Sequence, residues 1–369
     1  MKIVYISRSI IPSRTANSVH VMKMCQAFAD NGHEVTLLAP WTKKLEEKNI
    51  ENIFSYYGVK ENFTLKKVFS PNIKYLKKFI YSYRCSRIIK NINPSVVYGR
   101  DDMRAFYFAL KDGYNAVFEK HSPLGENKVN DKLIEKMIFS KPNAKLVLIS
   151  NALKKIFIDK YDIKDENIFV AHDGSDVVPD NQIPAGIELD NNVQIGYIGS
   201  LFKGRGIDII IELAKRIENA TFHIIGGNEK DVNMWKNKVS LKNLIFHGFV
   251  EPKEAYKYRN MCEILLAPYQ TANEGNRTSD YMSPIKLFEY MASKKTILTS
   301  DLPVIHEFLN PNNAILVDPL DVDLWEKNLI DLMNDSKKRI SLAENAYADF
   351  IKNYTWKSRA ENILNYIVS

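Results

Sequence analysis

Short runs of β-branched and aliphatic residues recur along this chain, and most of them are separated by room for one amphipathic helix. Residues 3–6, 34–39, 95–98, 116–119, 145–150 and 168–170 read as strands. Between the first two, Val21, Met24, Cys25 and Phe28 fall at helical spacing over roughly His20 to Asn31, with Gly32 suited to the helix end. Strand, helix, strand with short joints is a parallel βαβ unit. Residues 176–192 (DVVPDNQIPAGIELDNN) break the pattern with two prolines, a glycine and polar residues, and are expected as a linker. The alternation then restarts through strands at 194–199, 221–227, 244–248, 264–268, 296–300 and 314–317. The expected fold is α/β: two doubly wound domains, 1–175 and 193–355, facing a central cleft. The last helix, about 356–369, is expected to pack back on the first domain. In such sheets ligands sit at the carboxyl ends of the strands.

A chain of 369 residues has length enough for two cores. No apolar run approaches the roughly 20 residues of a membrane span. The apolar part of the opening MKIVYISR is too short for a signal peptide and reads as a strand. Cys25, Cys85 and Cys262 lack metal-ligand spacing and suit plain thiols in a reducing compartment, so a cytoplasmic location is expected. The net charge of +7 matters through where it sits. Between Glu61 and Asp101 there is no acid, while Lys66, Lys67, Lys74, Lys77, Lys78, Arg84, Arg87 and Lys90 fall inside that window. Ile73, Leu76, Ile80 and Tyr83 lie there at near-helical spacing, with Tyr75, Phe79 and Tyr81 nearby. A basic, aromatic helix over Ile73–Lys90 suits the inner face of an anionic membrane; a solvated helix face is the plainer alternative. The charge is local and no nucleic-acid module accompanies it, so nucleic acid is not an expected partner.

The most informative stretch is DYMSPIKLFEYMA, Asp280 to Ala292. Ser283 followed by Pro284 reads as a helix start, the serine as cap and the proline at the first helical position. Such a start turns free N–H groups and the positive end of the helix dipole toward the preceding loop, which suits a phosphate. Glu289 interrupts an otherwise apolar run, and a carboxylate there must be paired or must meet a ligand with hydroxyls to offer.

Two loops narrow the chemistry further. The first, Ser7 to Arg14, has no glycine, which argues against a nicotinamide or flavin dehydrogenase because the pyrophosphate needs a glycine-lined approach. The kinase-type phosphate loop is absent as well. By contrast Gly199-Ser200-Leu201-Phe202-Lys203-Gly204-Arg205-Gly206 places glycines and two cations between a strand and a helix. Lys203 or Arg205 could neutralise charge on a departing phosphate.

These segments, with HIIGG (His223 to Gly227), Phe246-His247-Gly248-Phe249-Val250 and Ser300 to Val304, resemble in order and spacing the family 4 retaining glycosyltransferases of bacterial surface polysaccharide synthesis. Ala16 to Pro40 looks like that family's first βαβ unit. The resemblance implies the GT-B fold, two Rossmann-like domains, and a nucleotide-sugar donor linked to UDP or GDP. It implies that Glu289 binds the donor ribose and that the backbone of Ser283, Pro284 and Ile285 holds the diphosphate. Arg205 stands where the family has a diphosphate-binding lysine, Phe249 and Val250 where the base is recognised, and His121 where a histidine faces the donor sugar. Ala16, Asn17 and His20 fall in the acceptor-side segment.

The sequence departs from the family at three points. Ser200 replaces an arginine, with Lys203 as the expected compensation. The glycine pair of the first loop is replaced near Ala16-Asn17, where asparagine tolerates a left-handed backbone. Tyr281 replaces the first glutamate of the signature pair, with Asp280 beside it, which leaves the sugar open. Asp321-Val322-Asp323 matches a metal-binding string but suits a helix cap better, so no metal and no cofactor are expected. The implied activity is sugar transfer to a glycan acceptor, lipid-linked in this class. The alternatives are a nucleotide-sugar epimerase on the same fold, or a non-catalytic sugar- or lipid-binding partner with a decayed donor site.

Overall fold

The computed structural model describes residues 1–41, 45–71, 73, 76–100, 103–124, 141, 143–273 and 278–368. Lys74 and Tyr75 of the basic window lie outside them. The chain divides into two compact units, Met1–His172 with Trp356–Ser369, and Asp173–Thr355.

The first unit is built on a seven-stranded parallel sheet: β1 (Lys2–Ser7), β2 (Glu34–Trp41), β3 (Thr64–Phe69), β4 (Val96–Arg100), β5 (Ala116–Lys120), β6 (Ala144–Leu148) and β7 (Ile168–Val170). Their spatial order is β3-β2-β1-β4-β5-β6-β7. The chain winds outward from β1 in one direction and then, from β4, in the other, and the reversal opens a crevice at the carboxyl ends of β1 and β4. β3 carries Lys66 and Lys67 in a short run and does not read as a strand by apolar pattern. It lies at the sheet edge, where lysines are tolerated and discourage pairing with another chain. The first helix runs Ala16–Asp30 rather than starting near His20, because Thr15 caps it: its hydroxyl accepts from the Ser18 N–H at 3.3 Å. Asn31, rather than Gly32, closes it. Ala16, Asn17 and His20 are therefore helical residues, and Asn17 needs no left-handed backbone.

The second unit repeats the plan with β8 (Val193–Ile198), β9 (Ala220–Ile225), β10 (Leu244–Gly248), β11 (Ile264–Ala267), β12 (Thr296–Ser300) and β13 (Ile315–Val317), in the order β10-β9-β8-β11-β12-β13. Strands buried on both faces read as continuous apolar runs, which is why they stand out in the sequence. Ile195, Tyr197, Phe222, Ile224, Ile264 and Leu266 enter one core with Ile207, Ile210 and Leu213 of the Ile207–Arg216 helix. The segment expected as a linker is tied down at both ends. Asp190 accepts from Thr221 Oγ1 at 2.7 Å and Gln194 Nε2 at 2.6 Å, while Asn260 Nδ2 donates to the Pro179 carbonyl at 2.9 Å.

His223 of the HIIGG segment belongs to this packing. Its Nε2 lies 2.7 Å from Gln194 Oε1, whose amide nitrogen is already committed to Asp190, so the ring donates there. Its Nδ1 then accepts from His247 Nε2 at 2.9 Å. Burial, and then the facing His247, push the His223 imidazole down to about 4. Between the ordinary histidine value near 6.5 and that folded value, the unfolded chain binds a proton the folded one refuses, so stability falls with pH. Urea denaturation should show loss of stability between pH 7 and pH 5, and His223→Gln should flatten that slope.

Candidate functional site

The signature segment lies at the switch point of the second sheet. β8 and β11 are neighbours registered at Ile195 with Ile264 and Gly196 with Leu265. Beyond that pairing, Tyr290 fills the gap: its hydroxyl accepts from the Ile198 N–H at 2.9 Å and lies 3.3 Å from the Leu266 carbonyl. This fixes the Ile285–Ala292 helix over the carboxyl ends of both strands. Ser283 does not cap this helix, because its hydroxyl accepts the Asp173 N–H at 2.7 Å. Pro284 occupies the cap position without a side-chain bond. The N–H groups of Ile285 and Lys286 consequently remain without a cap from Ser283, with the positive end of the dipole behind them.

Glu289 is one turn further on, and Arg259 is its partner. Arg259, nearly fully buried on the Ala255–Asn260 helix, has Nη1 at 3.6 Å from Glu289 Oε2. That distance is an ion pair rather than a hydrogen bond. Its Nε instead donates to Ser293 Oγ at 3.0 Å. The glutamate is thus held by charge while its lone pairs stay open to hydroxyl donors. Nothing near Arg259 in the sequence marks it as that partner.

The Gly199–Gly206 loop closes the other side. Gly206 has φ +72°, and a Cβ there would stand 2.0 Å from the Pro268 carbonyl, so only glycine lets the loop sit on the β11 exit. The Gly204 carbonyl accepts the Gln270 N–H at 3.1 Å, and Gln270 Nε2 reaches Asp208 at 3.1 Å. Ser200 presents its carbonyl to Tyr197 Oη at 2.6 Å. Lys203 is exposed, whereas the Arg205 guanidinium lies 5.4 Å from the centre of the Tyr269 ring. Phe249 and Val250 follow β10 half-buried, and Tyr281 is half-buried with its N–H on the Thr278 carbonyl at 3.1 Å. Exposed Asp280 accepts from Ser279 Oγ at 3.0 Å. Asp321 caps the Val322–Asn334 helix through the Leu324 N–H at 2.9 Å, and Asp323 pairs with Arg216 at 2.6 Å, so that acidic string is used structurally.

In the first unit the candidate residue His121, just past β5, rests on a buried carboxylate. Glu119 Oε1 lies 2.5 Å from His121 Nε2, 3.0 Å from His20 Nε2 and 2.8 Å from Arg359 Nη2. Tyr98 Oη donates to the other carboxylate oxygen. Arg359 comes from the final helix, Trp356–Val368, and also donates from Nε to the His172 carbonyl at 2.7 Å. Burial alone would raise the Glu119 carboxyl, but the Arg359 guanidinium, then His20 and His121, hold it well below the usual carboxylate range. His20, Glu119 and His121 bring three possible metal-ligand atoms within 4.8 Å of one another. The guanidinium on the same oxygen already supplies the positive charge a divalent ion would bring. The one local cue to Glu119 was an acid at the end of a strand otherwise buried; Arg359 has none.

Two family models match, one after the other along the chain. Residues 18–178 match Glycosyltransferase Family 4, and residues 180–349 match Glycosyl transferases group 1. Both are models of glycosyltransferase domains. Among curated proteins it is similar to the processive diacylglycerol alpha-glucosyltransferase of Acholeplasma laidlawii, 25% identical over 66% of each chain. It is also similar to the putative teichuronic acid biosynthesis glycosyltransferase TuaH of Bacillus subtilis, 26% identical over 36% of this chain and 32% of the relative. The matches thus span about two thirds and one third of those relatives' lengths. The crystal structure of Anabaena HepE in complex with UDP aligns over 100% of both chains with a TM-score of 0.73 at 13% identity, a likeness of fold.

Replacing Glu119 by Gln should lower the unfolding free energy by about 3 kcal/mol, because it leaves buried Arg359 without its countercharge. The wild-type carboxyl is depressed on folding, so its contribution is complete above the unfolded carboxylate range and is lost as pH falls through the folded value. Urea melts down to pH 3 should therefore show a smaller acid loss in Glu119→Gln than in the wild type.

Proposed function

We propose that this protein is a retaining glycosyltransferase that moves a sugar from a UDP- or GDP-linked donor to a lipid-linked glycan in bacterial surface polysaccharide assembly. The observation that carries the reading is Glu289, paired with Arg259 at 3.6 Å with open lone pairs, one turn into a helix whose first N–H groups Ser283 leaves uncapped. A ribose diol suits the carboxylate and a diphosphate suits the helix start and Arg205. Phe249 and Val250 receive the base, and Asp280 and Tyr281 read the sugar. Attack occurs on the face the leaving phosphate vacates, with that phosphate taking the acceptor proton, and His121 acts at the transferred sugar. The protein supplies position and charge rather than a nucleophile, and neither metal nor cofactor is required.

The relatives' names support the acceptor class: one is named for diacylglycerol and the other, as putative, for teichuronic acid. The surface supports it as well. The Leu76–Ile92 helix buries Tyr81, Cys85 and Ile89 and exposes Leu76, Phe79 and Tyr83. Arg84, Arg87 and Lys90 are exposed on the same helix, a combination that suits an anionic bilayer.

Calorimetry should show binding of UDP or GDP by the wild type and loss of at least about a hundredfold in affinity for Glu289→Ala, the scale of a lost charge-assisted ribose contact. Undiminished nucleotide binding by Glu289→Ala would refute the donor assignment. In sedimentation with vesicles, binding should rise with the fraction of anionic lipid and fall with salt, and Phe79→Ser with Arg84→Glu should abolish it.

A further inference from the structure

Lys286 is the one charged residue of the SPIKLFEYMA segment, apart from Glu289, and it points back at the Gly199–Gly206 loop. Its Nζ lies 3.8 Å from the centre of the Tyr197 ring and 5.1 Å from that of Tyr269. A Cβ added to Gly199 would stand 2.7 Å from that nitrogen, so the absence of a side chain at 199 makes room for the amine immediately beside Ser200. The Arg205 guanidinium rests on the same Tyr269 ring, 5.4 Å from its centre. Two cations from different elements thus share one aromatic ring. Among the described residues neither is bonded to a carboxylate or a carbonyl. Like charges brought together in this way repel, and the cost is accepted where an anion is to be bound.

We propose that Lys286 is a diphosphate-binding residue, supplying beside Ser200 the positive charge that a side chain from position 200 does not. This rests on the donor-site reading above. Lys203, in the same loop, is exposed and lies in none of these ring contacts. The placement has a consequence for protons. Burial, and then repulsion by Arg205, lower the Lys286 amine well below the usual lysine range, with Glu289 offsetting part of this. The other groups facing it, Tyr197 and Tyr269, are held neutral by burial, their hydroxyls pushed far up. An arriving diphosphate favours the ammonium form, so nucleotide binding shifts the Lys286 amine back toward the usual lysine range and proton uptake follows to the extent that the free site holds the amine neutral.

The test is calorimetry with UDP and GDP at pH 8.5, where the phosphates are fully ionised, in buffers of different ionisation enthalpy. Uridine and guanosine serve as phosphate-free probes. The wild type should bind a diphosphate with uptake of up to about one proton. Lys286→Met should bind it about tenfold or more weakly with no uptake, and Lys286→Arg should restore most of the affinity without the uptake. Affinity for the matching nucleoside should be unchanged in all three. Unchanged diphosphate affinity in Lys286→Met would overturn the assignment while leaving the donor site standing. So would an equal loss for nucleoside and diphosphate, since that reports general damage. A wild type that binds neither UDP nor GDP would instead remove the donor site, and Lys286's role with it.

Discussion

The second unit depends on how a parallel sheet treats the backbone where its winding reverses. β8 and β11 are neighbours, but the chain leaves them in opposite directions, and a polar backbone group at that point would go unpaired. The hydroxyl of Tyr290 meets that need by accepting from the Ile198 N–H. Because the tyrosine belongs to the signature helix, the bond that repairs the sheet also sets where that helix begins. The first N–H groups of the helix, the Arg259–Glu289 pair and the Lys286 amine all take their positions from it.

Much of this was legible in the amino-acid order. Strands covered by helices on both faces must be apolar throughout, and twelve of the thirteen described strands of the two sheets declare themselves in this way or by their place between helices. β3 escaped because an edge strand can carry Lys66 and Lys67 without cost, so its composition speaks of solvent. The first helix starts earlier than its apolar spacing indicates, because Thr15 and Ser18 lie in a polar stretch that has the composition of a loop and is joined by a cap bond. Ser283 misled in the opposite sense: serine before proline is a sound local cue for a cap, but a backbone N–H distant in sequence claimed the hydroxyl.

The partners of the charged groups were the least legible part. Glu289 announces that it needs a countercharge, yet Arg259 lies thirty residues away on a short helix with no pattern of its own. Glu119 and Arg359 are further apart still. Local periodicity reports which face of an element is buried, and it carries no information about which buried charge meets which. Such pairs decide the electrostatics around Glu289 and around Glu119, each within its own unit, so the chemistry was less visible than the scaffold that holds it.

The Glu119–Arg359 contact spans 240 positions of sequence, more than the whole length of the second unit. A nascent chain emerges at about 5–20 residues per second, so the first unit spends many seconds with its sheet strands made and its central guanidinium not yet synthesised. During that interval Glu119 has histidines and a tyrosine around it but not the cation that allows it to stay ionised out of water. The first unit therefore finishes last, and the second, contiguous from Asp173 to Thr355, is free to fold inside that wait.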